Sequence, residues 1–116
     1  TPEGIEDVEE IVRTPGLTGV YIGPSDLALA LGLPAYGDQP QEEHLETVKH
    51  ILATCKKHGV VSGMHTSSLE YTKKYLDLGF NMVMLGSETA FMMRTAFEEL
   101  AEAKGSIVES GESSGY

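Results

Sequence analysis

Apolar residues recur at helical spacing in four segments of the chain and form short continuous runs between them. The helical spacing predicts helices over residues 2–12, 41–58, 67–78 and 89–104. The short runs are rich in β-branched and apolar residues and predict buried strands over residues 19–23, 60–65 and 81–86. Gly59 and Gly79 follow the second and third helices, where a residue in the left-handed conformation commonly ends a helix.

The predicted order is helix, strand, helix, strand, helix, strand, helix. Strands that are separated by helices pair in parallel, because a parallel connection needs a crossover. Three strands cannot close a barrel, since a complete eight-unit barrel takes about 250 residues. The sequence therefore predicts an α/β fold with open sheet edges, and we expect a partner chain or a further part of a barrel to cover them.

Charge and composition exclude several classes of partner. The 116 residues carry a formal net charge of −10, which argues against binding to nucleic acid or to an anionic membrane, because both require basic residues. No apolar run reaches the roughly 20 residues of a membrane span. The first residues lack a basic segment followed by an apolar one, so we expect no signal peptide. The one cysteine, Cys55, lies on an apolar helix face and fits a buried thiol in a reducing compartment. We therefore expect a cytoplasmic protein.

The segment with the most chemical information follows the first predicted strand. Gly23, Pro24, Ser25 and Asp26 stand at the carboxyl end of that strand, which is where parallel α/β proteins place their sites. A carboxylate there can bind a divalent cation, and the N–H groups of Ser25 and Asp26 can bind a substrate carboxylate. The same residues also suit a loop and helix cap with no further role, so the spacing alone leaves both interpretations open.

A resemblance to a known family favours the first interpretation. Residues 23–27, followed by Leu31-Gly32, resemble the Gly-Pro-(Ala/Ser)-Asp-Leu segment of the HpcH/HpaI aldolase family, which includes hydroxy-oxo-heptanedioate aldolase and 2-dehydro-3-deoxy-glucarate aldolase. Residues 61–66 resemble the seventh strand of that family, and residues 83–89 resemble its eighth. The likeness covers residues 1–105 and implies the carboxyl-terminal half of a TIM barrel. Residues 106–116, rich in Ser, Gly and Glu, are then expected to be a flexible tail.

The resemblance implies a metal-dependent carbon–carbon lyase. Such an enzyme cleaves 2-keto-3-deoxy or 4-hydroxy-2-oxo acids to pyruvate, or a related 2-oxo acid, and an aldehyde. Asp26 would bind Mg²⁺ or Mn²⁺, and Gly23, Pro24 and Ser25 would line the site of this small-molecule substrate. His65 would line the same pocket, at a position where the family often has an apolar residue. Its place at a strand end by itself better suits a hydrogen-bonded structural histidine than a ligand or an acid/base. The metal would polarise the ketone of the 2-oxo acid.

The same resemblance implies that this chain holds only part of an active site and none of its catalytic residues. The second metal carboxylate of the family is a Glu directly before the Thr that corresponds to Thr1, and the active-site His and Arg lie in the first half of the barrel. None of His44, His50 and His58 replaces that His, because they fall on or beside the helix over residues 41–58. We expect no turnover from this chain alone. We also expect a homo-oligomer, because the eighth helix of the family packs on a neighbouring subunit.

Other polar and sulfur-containing residues are interpreted as structural. Ser67 and Glu70 have the spacing of a capping box at the start of the third helix. Glu88 is interpreted as a loop residue or helix cap. The methionines of the third strand and fourth helix are interpreted as core residues: Met82, Met84, Met92 and Met93.

Two alternative functions remain open at this point. One is a non-catalytic half-barrel that assembles with itself or with another chain. The other is a relative of the citrate-lyase type, which shares the same carboxyl-terminal features.

Overall fold

The computed structural model describes residues 1–104 of the chain. They divide into two units, Thr1–Leu85 and a second unit that begins at Gly86. The first unit contains five helices and three strands, in the order α1 (Pro2–Glu6), α2 (Val8–Val12), β1 (Gly19–Ile22), α3 (Pro24–Ala30), α4 (Glu42–His58), β2 (Val61–Met64), α5 (Leu69–Leu78) and β3 (Met82–Val83). The second unit contains α6 (Glu88–Lys104). The expected flexible tail lies outside the described residues.

The three strands form one parallel sheet in the order β1-β2-β3, which confirms the predicted α/β class. Ile22 lies opposite Met64, and Met64 lies opposite Val83. The carboxyl ends of the three strands therefore meet at one edge of the sheet. The third strand is shorter than the predicted run over residues 81–86, because only two of its residues pair with β2.

One face of the sheet is covered by helices and contains the core of the first unit. Helix α4 contributes the largest part, with Val48, Cys55 and their neighbours fully or nearly fully buried. They pack with Ile22 and Met64 from the strands and with Val8 from α2. Burial of Cys55 raises the pKa of its thiol, so the predicted inert, buried cysteine is found.

The opposite face of the sheet, which we call the open face, is exposed in the first unit. Tyr21 is 48% exposed and Met82 is 54% exposed, and both point away from the helix-covered core. A groove of about 290 Å³ runs across this face between residues of all three strands, including Gly19, Val61 and Gly63. Parallel sheets are ordinarily buried on both faces, so this face is incomplete as it stands.

Two predicted helices begin or end differently from the sequence pattern. The helix predicted over residues 2–12 is interrupted at Asp7, whose φ of −90° and ψ of 8° break the ladder between α1 and α2. The Asp7 side chain makes no capping hydrogen bond to α2. The predicted capping box on Ser67 is wrong. Ser68 is the N-cap of α5 and accepts from the N–H of Tyr71 at 3.3 Å.

The interpretation of the methionines as core residues is wrong for three of the four, and the fourth, Met84, is only partly buried. Met82 lies on the open face, and Met92 and Met93 are 69% and 50% exposed on α6. Helix α6 contains no residue that is buried in the part of the chain that the structure describes. Its other large apolar side chains are exposed as well: Phe91, Phe97 and Leu100. Within residues 1–104, no helix is both long enough and apolar enough to cross a membrane.

Tyr75 supplies a test of the core. It is 1% exposed, its ring meets that of Phe80 edge-on at 5.6 Å, and burial raises its pKa to about 12. Among the described residues its hydroxyl has no hydrogen-bond partner. We expect Tyr75→Phe to raise the free energy of unfolding by about 1 kcal/mol, because an unsatisfied buried polar group is removed.

Urea denaturation of the full-length gene product measures the effect of Tyr75→Phe. Tyr71→Phe is the matched control, because Tyr71 lies in the same helix and is only partly buried. A loss of stability in Tyr75→Phe would show that the hydroxyl has a partner and would contradict this account of the core.

Candidate functional site

The backbone carries the parallel ladder beyond the strands at the carboxyl edge of the sheet. The N–H of His65 donates to the carbonyl of Ile22 at 3.1 Å, and the N–H of Met84 donates to the carbonyl of Met64 at 3.0 Å. The segments that follow β1 and β2, which hold Gly23 and His65, therefore lie side by side. This is the edge at which the sequence predicts a site.

Helix α3 begins directly after β1. Gly23 is the N-cap with an extended backbone, φ −88° and ψ 110°, and Pro24 is the first helical residue, where its missing N–H costs no hydrogen bond. The N–H of Leu27 donates to the carbonyl of Gly23 at 3.0 Å and closes the first turn. The N–H groups of Ser25 and Asp26 belong to that turn and have no acceptor within the helix. These residues thus begin a seven-residue helix.

The carboxylate of Asp26 is exposed at this edge. Within residues 1–104 it forms no ion pair or hydrogen bond. Its Oδ2 atom folds back over Gly23, so that a Cβ added to Gly23 would lie 2.9 Å from it. The absence of a side chain at Gly23 therefore leaves space that the carboxylate occupies.

The donor set at Asp26 fits one ligand of a divalent cation and not a complete cage. Mg²⁺ binds through one or two carboxylates and otherwise keeps waters or substrate oxygens. Among residues 1–104, no group of three or more His, Cys, Asp or Glu side chains is arranged to hold a metal ion. Asp26 could thus supply one protein oxygen, and the remaining ligands would come from outside this part of the chain.

His65 is partly buried and lies against Tyr21 of the neighbouring strand. The two rings meet edge-on with centroids 6.3 Å apart, and the Tyr21 hydroxyl lies 3.4 Å from Nδ1 of His65. The Tyr21 ring crosses above Gly63, where an added Cβ would lie 2.6 Å from Cδ2 of the ring. Burial raises the pKa of the Tyr21 hydroxyl. The Tyr21 hydroxyl and Nδ1 of His65 can each donate or accept in this contact, according to the tautomer of the ring.

His44 also reaches this edge, although its sequence position on α4 gave it no role. Its side chain is fully buried, and Nε2 donates to the carbonyl of Pro24 at 3.1 Å. Burial lowers the pKa of His44; the hydrogen bond to Pro24 opposes this shift, and the positive charge of Lys74 adds to it. His44 falls on the buried face of α4 at helical spacing from Val48, so the periodicity contained a signal for its burial but not for its partner.

Three further side-chain contacts fix the loops at the same edge. Asp38, in the loop between α3 and α4, accepts from the N–H of Ser67 at 2.9 Å. Thr66 is fully buried, contacts the Thr72 hydroxyl at 2.8 Å and donates to the carbonyl of Met84. The loop between α3 and α4 is thereby tied to the segment after β2, and that segment is tied to the one after β3, independently of any ligand.

The structure separates the remaining histidines from this edge. His58 lies at the carboxyl end of α4 and pairs with Glu9 of α2, at 2.7 Å between Nε2 and Oε1. Lys57 contacts the same carboxylate at 2.7 Å, and these two contacts lower the pKa of Glu9. His50 is exposed in the middle of α4. The segment from Gly23 to Asp26 and His65 are therefore brought to one edge, together with the unpredicted His44.

Comparison with known proteins identifies a family. Residues 1–95 match the family described as HpcH/HpaI aldolase/citrate lyase. A 5-keto-4-deoxy-D-glucarate aldolase of Klebsiella pneumoniae is 38% identical over 100 residues, which are 86% of this chain and 38% of that protein. A hydroxypyruvate/pyruvate aldolase of Paraburkholderia phytofirmans is 29% identical over 101 residues, 87% of this chain and 38% of that protein.

A solved structure agrees with these sequence relatives. An HpcH/HpaI aldolase/citrate lyase family protein from Burkholderia cenocepacia superposes with a TM-score of 0.79 at 27% identity, over 87% of this chain and 38% of that one. The chain thus spans less than half the length of the relatives it matches. Its three parallel strands are part of the TIM-barrel type of fold that these relatives share. The chain belongs to the HpcH/HpaI aldolase/citrate lyase family.

Proposed function

We propose that the full-length protein is a metal-dependent aldolase of 2-oxo acids and that Asp26 is one of its metal ligands. The observation that carries the proposal is the exposed Asp26 carboxylate at the carboxyl edge of a parallel sheet, with no partner among residues 1–104. A carboxylate that forms no structural contact is available to bind a cation. The aldolase names of the relatives support the reaction class.

The reaction would be cleavage of a 4-hydroxy-2-oxo acid or a 2-keto-3-deoxy sugar acid. The bond between C3 and C4 breaks, the C4 hydroxyl loses its proton, and C3 gains a proton. The products are an aldehyde and pyruvate, or a related 2-oxo acid. A bound Mg²⁺ or Mn²⁺ would polarise the ketone.

The proposed roles of this chain are binding and orientation. The N–H of Ser25 would donate to the substrate carboxylate, with Gly23 and Pro24 shaping that part of the site. His65 would line the remainder of the substrate site, with its ring held against Tyr21. This chain supplies no proton acceptor in the proposal, and we expect no turnover from it alone.

The assembly that we propose follows from the open face of the sheet. Residues 1–105 would form part of a closed barrel whose other strands cover Tyr21 and Met82, because a parallel sheet needs both faces buried. The exposed apolar side chains of α6 would pack in a cytoplasmic homo-oligomer. The relatives, of which this chain spans 38%, support a longer protein.

The second candidate is a non-catalytic half-barrel that assembles with itself or with another chain. The exposed open face favours it, because such a face must be covered whether or not catalysis occurs. It predicts assembly without a response to metal and 2-oxo acid. A citrate-lyase-type reaction would keep the metal response and fail only with aldol substrates.

Asp26→Asn tests the proposed metal ligand. We expect Mg²⁺ with pyruvate to raise the melting temperature of the full-length wild type, because ligands that bind the native state stabilise it. In Asp26→Asn this rise should disappear, since the amide cannot supply the anionic oxygen. Differential scanning fluorimetry with the metal, without it and with EDTA measures the melting temperatures of the wild type and of Asp26→Asn.

Asp77→Asn is the matched control for Asp26→Asn, because Asp77 is an exposed aspartate on α5 without a recorded contact among residues 1–104. It should respond to Mg²⁺ and pyruvate as the wild type does. If the melting temperature of the wild type does not respond to Mg²⁺ with pyruvate, the non-catalytic half-barrel is favoured over the aldolase.

Gly23→Ala tests the space that Asp26 occupies. The backbone of Gly23 is extended, so alanine fits its φ and ψ, but the added Cβ would lie 2.9 Å from Oδ2 of Asp26. We expect the carboxylate to move and the dissociation constant for Mg²⁺ to rise about tenfold, the effect of a loss of about 1.4 kcal/mol. The free energy of unfolding should change by less than about 1 kcal/mol, because a side-chain end can yield.

Isothermal titration calorimetry measures the affinity of Gly23→Ala, and urea denaturation measures its stability. Gly4→Ala is the control, since its Cβ would be 3.4 Å from Thr1 Oγ1, an ordinary contact. If Gly23→Ala binds Mg²⁺ as tightly as the wild type does, Asp26 is not a ligand of the metal.

A further inference from the structure

We propose that His44 is a positioning residue that sets the orientation of the Pro24–Ser25 peptide and, through it, of the Ser25 N–H. This inference rests on the proposed function for its consequence, but its structural part can be tested without ligand. His44 lies on α4 and Pro24 is the first residue of α3, so the contact joins elements that are 20 residues apart.

Within residues 1–104, no other side chain forms a hydrogen bond to the segment from Gly23 to Asp26. Nε2 of His44 donates to the carbonyl of Pro24 at 3.1 Å, and both residues are buried. A hydrogen bond that is shielded from water holds its geometry better than one at the surface. The start of α3 is thus fixed from the interior, while the other side of the same segment faces the edge.

The planarity of the peptide unit carries this constraint to the site. The carbonyl of Pro24 and the N–H of Ser25 belong to one rigid trans unit and point in opposite directions. Proline also fixes φ on its own side of the unit. Because His44 binds the Pro24 carbonyl from the buried side, we infer that the Ser25 N–H of the same unit faces the opposite side, where the proposal places the substrate carboxylate.

The burial of an imidazole needs such an explanation. His44 is 0% exposed, and its Nδ1 atom has no partner among the described residues. Burying polar atoms without partners destabilises a protein, and an apolar side chain would fill the same space without that cost. The hydrogen bond to Pro24 is therefore the interaction that an imidazole provides at this position and an apolar side chain does not. Burial lowers the pKa of His44 and favours the neutral ring.

Four variants of the full-length protein separate positioning from general packing. His44→Gln keeps a donor at the reach of Nε2, whereas His44→Asn places the same amide one carbon short. His44→Leu fills the space without a donor. Thr54→Val is the matched control, because Thr54 is buried in the same helix, is 5% exposed and bonds only within it, to the carbonyl of His50.

The first readout is amide hydrogen exchange in residues 23–31, followed by mass spectrometry. The N–H of Leu27 is bonded to Gly23, so its exchange reports the integrity of the turn. We expect His44→Leu and His44→Asn to exchange about tenfold faster, the effect of losing one hydrogen bond worth about 1.4 kcal/mol. His44→Gln should stay within about threefold of the wild type, and Thr54→Val should match it. If His44→Leu does not fold, the difference in exchange rate between His44→Gln and His44→Asn decides whether His44 has a positioning role.

The second readout is the dissociation constant of pyruvate at saturating Mg²⁺, measured by calorimetry. The dissociation constant should rise in His44→Leu and His44→Asn and should stay near the wild-type value in His44→Gln. Equal exchange and equal affinity in the Gln, Asn and control variants would overturn the positioning role. If the wild type binds neither Mg²⁺ nor pyruvate, the proposed function fails, and exchange alone then decides whether His44 orients the peptide.

Discussion

The packing of one face of α4 against β1 and β2 is the contact on which the rest of the first unit depends. It is the crossover that makes the two strands parallel, and parallel pairing brings their carboxyl ends to one edge. Without it, Gly23 and His65 would have no reason to be neighbours. The same helix face carries His44 into contact with Pro24. Core packing and the geometry of the candidate site therefore have a common cause.

The two faces of the sheet have different roles because alternate residues of a strand point in opposite directions. Ile22 and Met64 belong to the core, whereas Tyr21 and Gly63 belong to the open face. The Tyr21 ring extends along the open face to His65, so this face connects the strands to the edge. Whatever covers the open face in the full-length protein would also bury the Tyr21–His65 contact and strengthen its hydrogen bond.

Local sequence signals were sufficient for the helix ends at two glycines and for the place of Asp26. Gly59 and Gly79 were predicted to end helices, and both adopt the left-handed conformation, with φ of 67° and 95°. The position of Asp26 at a strand end followed from the alternation of strands and helices. Ser67 and Ser68 could not be separated in this way, because the N–H of Ser67 is taken by Asp38, 29 residues away. Long-range partners of this kind leave no periodic trace in the sequence.

The same limit applies to the exposed methionines and to two glycines of the site. Met82 fits an apolar strand, and only the absence of a covering layer in the first unit makes it exposed. Gly23 and Gly63 lack the positive φ that usually explains a glycine. Each instead leaves room for a side chain, the Asp26 carboxylate over Gly23 and the Tyr21 ring over Gly63. A glycine with an ordinary backbone beside a candidate residue is therefore evidence about that residue, because the missing Cβ allows its side chain to lie where it does.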